Sequence, residues 1–427
     1  MNDNHALVNA TKIIYPIPPS LHTENRTRLI QAFRQYLNKP NDNNDSNNSN
    51  DYNAWMLFQG GQSSFRDATD HEHVFRQESF FHWLFGVEEP DYWGAIHIQS
   101  NNSTSFLFMP RLPLEYSVWM GHIASTQEIK TKYEVDEVYY IDEMDFVFMN
   151  QTDTKPTKIH VLQGVNSDSK KQHKISVDLR QVIPSTLKNT KVTLDTSQDL
   201  FEIVSNLRTI KTEKELEVMK FVSLISSAAH VHVMKLGSSV IGMYEYQLES
   251  EFLHFVYKHG GCRHVSYTCI CGSGPNSSIL HYGHAGAPNN RRIDNGCMLL
   301  RDMGGEYRGY ASDITVSYPV NGKFTDLQKG VYNAVLHASQ AVIKSVKPGV
   351  SWVDMHLLAE RVMLSYLIDA NFLIHPTLVK SHHSKESLLN ELMETRTGAL
   401  FMPHGLGHLI GIDTHDVGGY TDCCPPR

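Results

Sequence analysis

"RDMGGEYRGYASDITVSYPV" runs from Arg301 to Val320. Two strand-like runs flank a turn, and each carries one acid: Asp302 at the end of "CMLLRD", Asp313 near the start of "SDITVSY". The glycines of "GGEYRG" (Gly304 to Gly309) suit a tight or slightly bulged hairpin loop. Folded about its centre, this hairpin brings Asp302 roughly opposite Asp313. Two carboxylates on one face of a hairpin repel unless a cation lies between them. A hard divalent metal is one solution. Exposure of both acids to water at the sheet edges is the other.

The chain on either side adds histidines. "FMPHGLGHLIGIDTHDVGGY" (Phe401 to Tyr420) holds His404, His408 and His415. Imidazoles clustered among glycines and apolar residues point to metal or proton-transfer chemistry. Gly405 and Gly407 let the backbone pass close to a bound group. Upstream, "LHYGHAGAPN" contributes His281 and His284.

Further out, helices and strands separate two halves. Thr212 and Glu215 form a capping-box pair, and Leu216, Met219, Val222 and Ile225 recur every three residues up to a stop at Gly237. "YEYQLESEFLHFVYKHGG", "DLQKGVYNAVLHASQAVIKSV" and "WVDMHLLAERVMLSYLIDA" read as three more helices. Strands dominate from Cys269 to Tyr318, and a last strand-and-turn region is expected from Phe401. The second half is therefore α+β, helices packed on a largely antiparallel sheet. In the first half, "AWMLFQGG", "WGAIHIQS", "STSFLFMP", "EVYYID" and "KIHVLQG" read as strands of a mixed α/β unit. "NKPNDNNDSNNSNDYN" (Asn38 to Asn53) is almost free of apolar residues and reads as a disordered surface insertion.

Composition narrows the function classes. The chain has 427 residues, 41 % hydrophobic and 20 % charged, with a net charge of −8. That balance favours neither nucleic acid nor anionic lipid. No apolar run approaches the roughly 18 residues of a membrane span, and the N-terminus lacks the pattern of a signal peptide. Six cysteines without a C-x-x-C pair imply a reducing compartment, the cytosol by default.

These residues resemble a known family. "LLRDMGGEYRGYASDITVSYPVNGKF", "LHYGHAGAPN", "SYTCICGSGPNS" and "MPHGLGHLIGIDTHDVGGY" are similar to prolidases, the Xaa-Pro dipeptidases among the pita-bread metallopeptidases. "FRQESFFHWLFGVEEPDYWGAI" and "MPRLPLEYSVWMGHI" extend the resemblance into the first half. It implies a creatinase-like (aminopeptidase P-like) α/β domain over 1–190, a linker over 191–211 and a pita-bread domain over 212–427. It also implies a pair of divalent metals, usually manganese, a cytoplasmic homodimer and release of proline from Xaa-Pro dipeptides. By matching motif, Asp302 binds one metal, Asp313 bridges both and His408 binds the other. His281 and His415 face the substrate and the charge developing on it, with His404 close by.

The chain also departs from the family. Beyond "HDVGGY" the family continues into strands with two more glutamate ligands, one of them the proton shuttle. Here the sequence reads "TDCCPPR" to Arg427, and its last glutamate is Glu394. Asp413, Asp416 and Asp422 fall at family positions with other roles. The expectation is a shortened form with three of five ligands, weak metal binding, impaired activity and uncovered core faces. An aminopeptidase P-type peptidase and an inactive pita-bread binding protein are the alternatives.

Overall fold

The computed structural model describes residues 15–38, 52–152, 156–166, 169–283, 288–373 and 384–418. Most of the Asn-rich run read as an insertion, and His284, lie outside the described residues. Its last residue, Asn53, does not: it begins a strand, and its amide donates to the Thr157 hydroxyl at 2.7 Å.

The first half is built on a six-stranded mixed sheet. Helix α1 (Ser20–Leu37) precedes β1 (Asn53–Gln59), helix α2 (Ser79–Phe85), β2 (Trp93–Gln99), β3 (Ser103–Met109), β4 (Glu137–Tyr140), β5 (Thr157–Val161) and β6 (Val192–Asp195). The strand order is β4-β3-β2-β1-β5-β6. Pairing is antiparallel for β1–β2 and β2–β3 and parallel for β1–β5, β3–β4 and β5–β6. β1 and β2 are buried on both faces, so they read as near-continuous apolar runs instead of alternating ones. Trp55, Phe106 and Phe108 cover one face with Phe148; Met56, Phe58 and Ile96 face the main core.

The stretch expected to be a linker, 191–211, is folded. It supplies the edge strand β6 and helix α3 (Asp199–Thr209), whose Leu200, Phe201 and Val204 join the main core. β6 is a short edge strand, which explains why it carries no buried-strand pattern.

Helix α4 (Glu213–Lys235) starts at the expected capping box between Thr212 and Glu215. Its Glu215 is fully buried because it serves two further donors: Trp83 Nε1 at 2.8 Å and the Tyr310 hydroxyl at 3.1 Å. One carboxylate thus ties α2, α4 and the central hairpin together. Helix α5 (Glu245–Gly260) follows, then β7 (His264–Val265), β8 (Ile270–Ser273), β9 (Met298–Asp302), β10 (Gly305–Tyr307), β11 (Tyr310–Ala311) and β12 (Thr315–Pro319). Helices α6 (Asp326–Ser345) and α7 (Trp352–Asp369) pack on each other around Ala334, Ala338, Met355 and Ala359. On α6, Leu327, Val331, Val335 and Ile343 are exposed. The strands expected after Phe401 do not form among the described residues; 401–418 is irregular backbone fixed by side chains.

The hairpin itself differs in register from the expectation. Asp302 pairs with Thr315, and Tyr307 with Tyr310, so the turn is the two residues Arg308–Gly309. Both have positive φ, 45° and 83°, the conformation a two-residue hairpin turn of matching twist requires. Asp313 therefore stands diagonally from Asp302, not opposite it. Between the two residue pairs the strands leave one sheet for another, β8-β9-β12 and β7-β10-β11. Gly304 makes this crossing possible: a Cβ there would lie 1.8 Å from the Ser312 carbonyl oxygen.

Three imidazoles buried in the first half bear on acid stability. Burial lowers His97 and His160 to about 4, and burial together with nearby His82 lowers His22 to about 3. A value lower in the folded state favours the neutral ring. The stabilisation is intact above the unfolded value of roughly 6.5 and is lost as pH falls from there toward 4. At pH 5 each ring is expected to cost about 2 kcal/mol relative to pH 7. Thermal melts at the two pH values check this; equal midpoints would contradict it.

Candidate metal centre

Sheet pairing brings the acids to one place. The Tyr267 hydroxyl lies 2.5 Å from Asp302 Oδ1 and 3.0 Å from Asp313 Oδ1. Asp313 Oδ2 lies 3.1 Å from His408 Nε2. The His408 ring is 4.1 Å, centroid to centroid, from that of His415. The side chains form a row: Asp302, Tyr267, Asp313, His408, His415. Of the residues singled out in the sequence, the structure thus gathers Asp302, Asp313, His408 and His415. His404 is exposed and bonds the neighbouring Gly405 carbonyl at 2.8 Å. His281 is exposed in the turn after the 3-10 helix Gly274–Ser278.

The charges of the row are unbalanced. One phenolic proton cannot serve two ionised carboxylates at once. Burial raises the Asp302 carboxyl above its usual range, and repulsion from Asp313 adds to that. Burial works in the same direction on Asp313, but its hydrogen bonds from His408 and Tyr267 hold it low. His408 is raised chiefly by its hydrogen bond to Asp313. Its Nδ1 faces the Leu409 carbonyl at 2.9 Å. An N–H donated there leaves Nε2 as the atom turned to Asp313. This is the orientation of a metal-ligating histidine whose second nitrogen is anchored on backbone. Without a cation, Nε2 takes a proton instead.

A divalent metal fits this donor set in kind: hard carboxylate oxygens, one anchored imidazole and a local excess of negative charge. The set is open. Among the described residues no three His, Cys, Asp or Glu side chains converge on a common ion position. Tyr267 was missed in the sequence; a tyrosine just before a strand gives no short-range sign of the acids, 35 and 46 residues on, that it joins.

The segment carrying His408 and His415 has no strand to hold it. Arg208 Nη2 donates to Asp413 Oδ2 and to Asp416 Oδ1, both at 2.7 Å. Lys211 Nζ reaches Asp416 Oδ2 at 2.9 Å. Arg76 bonds the Ile412 carbonyl at 3.0 Å and both oxygens of buried Glu306, and Ser79 Oγ donates to Asp413 Oδ1 at 2.6 Å. Thr414 Oγ1 bonds the Ser266 carbonyl at 2.7 Å, next to Tyr267. Burial works to lower Arg208, but Asp416 and Asp413 raise it above its ordinary value. None of Arg76, Ser79 and Arg208 was singled out in the sequence.

Comparison with known proteins identifies the family of both halves of the chain. Residues 217–423 match the model of metallopeptidase family M24, and residues 22–160 that of the aminopeptidase P N-terminal domain. An Xaa-Pro dipeptidase of Pongo abelii is 45 % identical over 406 residues, spanning 95 % of this chain and 74 % of that protein. A probable Xaa-Pro aminopeptidase of Sordaria macrospora is 33 % identical over 365 residues, 85 % of this chain and 70 % of that protein. A solved structure of Escherichia coli aminopeptidase P superposes with a TM-score of 0.76 at 26 % identity, covering 95 % of this chain and 83 % of that one. Identity is higher to the dipeptidase than to the aminopeptidase across a longer span. The two-domain architecture, the acid row on the hairpin and these matches together place the chain in metallopeptidase family M24, among the Xaa-Pro dipeptidases.

Proposed function

We propose that this chain hydrolyses Xaa-Pro dipeptides and releases proline, using a pair of divalent metals for which Asp302, Asp313 and His408 supply ligands. The observation that carries the reading is the row Asp302–Tyr267–Asp313–His408, which gathers two carboxylates and an imidazole where a cation could replace the protons that otherwise hold them together. Bound metal would supply an activated water at neutral pH and polarise the scissile carbonyl. The chain's own residues do the rest. Tyr267 orients the two carboxylates. His408, anchored through Nδ1, keeps Nε2 beside Asp313. His415, packed on His408, offers an imidazole N–H to the oxygen on which charge develops, and His281 is assigned the same substrate-facing role. An Xaa-Pro bond needs such help because its tertiary amide has no N–H to grip.

The metal we assign is manganese, on the resemblance to prolidases; carboxylate oxygens with one imidazole accept such a divalent ion. A cytoplasmic location is part of the proposal. It is supported by the four described cysteines being free, and it accords with no described helix being long and apolar enough to cross a membrane. A homodimer is proposed as well, on resemblance alone.

The test is release of proline from Gly-Pro by the purified chain with added manganese, against a tripeptide Gly-Pro-Gly. Cleavage of the dipeptide only supports the reading; preference for the tripeptide would favour an aminopeptidase, and cleavage of neither would overturn it. With His415→Ala, turnover is expected to fall about 10²-fold, the scale of one lost oxyanion donor. Metal content should not change. Loss of metal would make His415 a ligand instead.

A further inference from the structure

Side chains of the first half reach the segment that carries His415. Asp413 stands two residues before His415 and Asp416 one after it. Both are tied to side chains far away in sequence: Ser79 and Arg76 on Asp413, Arg208 on both, Lys211 on Asp416. Asp413 meets three donors, Ser79 at 2.6 Å, Arg208 at 2.7 Å and Arg76 at 3.4 Å. Ser79 in turn accepts from Arg76 Nη1 at 3.1 Å. Asp416 N also closes the segment on itself through the Leu409 carbonyl at 3.0 Å. Thus 409–416 is irregular backbone; buried Ile412 and the Ala311 N–H on the Gly411 carbonyl at 2.8 Å hold its middle, and side chains from outside hold Asp413 and Asp416 on either side of His415. The ring it presents to His408 is that of His415.

We propose that Ser79, with Arg76 and Arg208, is a positioning residue of the reaction: through Asp413 it holds the imidazole of His415 against His408 and so sets the donor's aim at the scissile carbonyl. This rests on the dipeptidase reading above. Ser79 touches no reacting atom. Its contribution is angular, and a donor misplaced by a fraction of an ångström loses transition-state contact before it loses substrate binding. The effect therefore belongs in kcat and not in KM.

Ser79 begins helix α2, whose N-terminal amides are served by Glu78, so its hydroxyl can be removed without uncapping the helix. Ser79→Ala is expected to lower kcat for Gly-Pro about 10-fold, with KM and manganese content unchanged. Ser79→Thr, which keeps the hydroxyl, should stay within about twofold of the parent. In a His415→Ala background Ser79→Ala should add less than twofold, because the group it aims is gone. Hydrogen exchange by mass spectrometry supplies a readout that needs no activity: amides of 408–416 should exchange faster in Ser79→Ala. An equal loss in both backgrounds, a change confined to KM, or unchanged exchange over 408–416 would each overturn the proposal. If the parent chain releases no proline, the dipeptidase reading fails, and the exchange result alone decides whether Ser79 holds the segment.

Discussion

Asp313→Ala is expected to slow proline release by about 10³-fold or more and to strip most of the bound manganese. A metal contributes several kcal/mol of charge stabilisation, and each 1.36 kcal/mol is tenfold in rate. Asp313 sits in the middle of the row and touches both Tyr267 and His408. Its removal cuts His408 off from the Tyr267–Asp302 end of the row. The substitution has a second signature. His408 is raised by Asp313, so its ion pair stabilises the fold fully below the ordinary imidazole value and fades as pH rises through the raised one. Without Asp313 that dependence should vanish, and the ring should titrate closer to its ordinary value. Metal analysis, turnover and an imidazole titration by NMR check the three parts. Full metal content with a rate within threefold of the parent would remove Asp313 from the metal site.

Arg208→Met is expected to destabilise the fold by about 3–5 kcal/mol, the cost of taking one partner from a buried ionic group. Arg208 is fully buried, donates from Nη2 to both Asp413 and Asp416 and stacks on Phe80 at 4.5 Å. Methionine keeps the volume and the stack but leaves Asp416, also buried, with Lys211 alone. Arg208→Lys should fall between, since it keeps the charge but loses the planar guanidinium stacked on Phe80. Denaturant unfolding of the three forms checks the order. A methionine variant as stable as the parent would mean that the charges merely break even.

Much of this was legible in the sequence, and the misses have physical causes. The strands of the first half were visible because central strands are apolar throughout, and helix α4 because its capping box is local. Asp302 and Asp313 stood out because a carboxylate in an apolar strand needs a reason. Their register was misjudged by treating Gly304 as part of the loop; the structure uses it for a close backbone crossing and turns at Arg308–Gly309 instead. Residues 191–211 looked like a linker because β6 is a polar edge strand, although Leu200, Phe201 and Val204 of α3 carry a helical apolar spacing. The strands expected from Phe401 failed to appear because that segment draws its order from Arg76 and Arg208. Those partners are 337 and 205 residues from Asp413, and no local pattern announces them.

Glu215 has a consequence for anyone grafting parts between relatives. It accepts from its own helix cap, from Trp83 in α2 and from Tyr310 in the hairpin, and Arg28 of α1 approaches it at 3.7 Å. A chimaera joined anywhere between α2 and α4 would set a carboxylate from one parent among donors from another. A mismatch at position 83 or 310 would take away one of its buried donors. The seam suggested by the two family matches, between 160 and 217, runs close to this residue. Exchangeable pieces of this molecule are therefore defined by shared buried partners, and in a collection of homologous chains positions 28, 83, 215 and 310 should vary as a set.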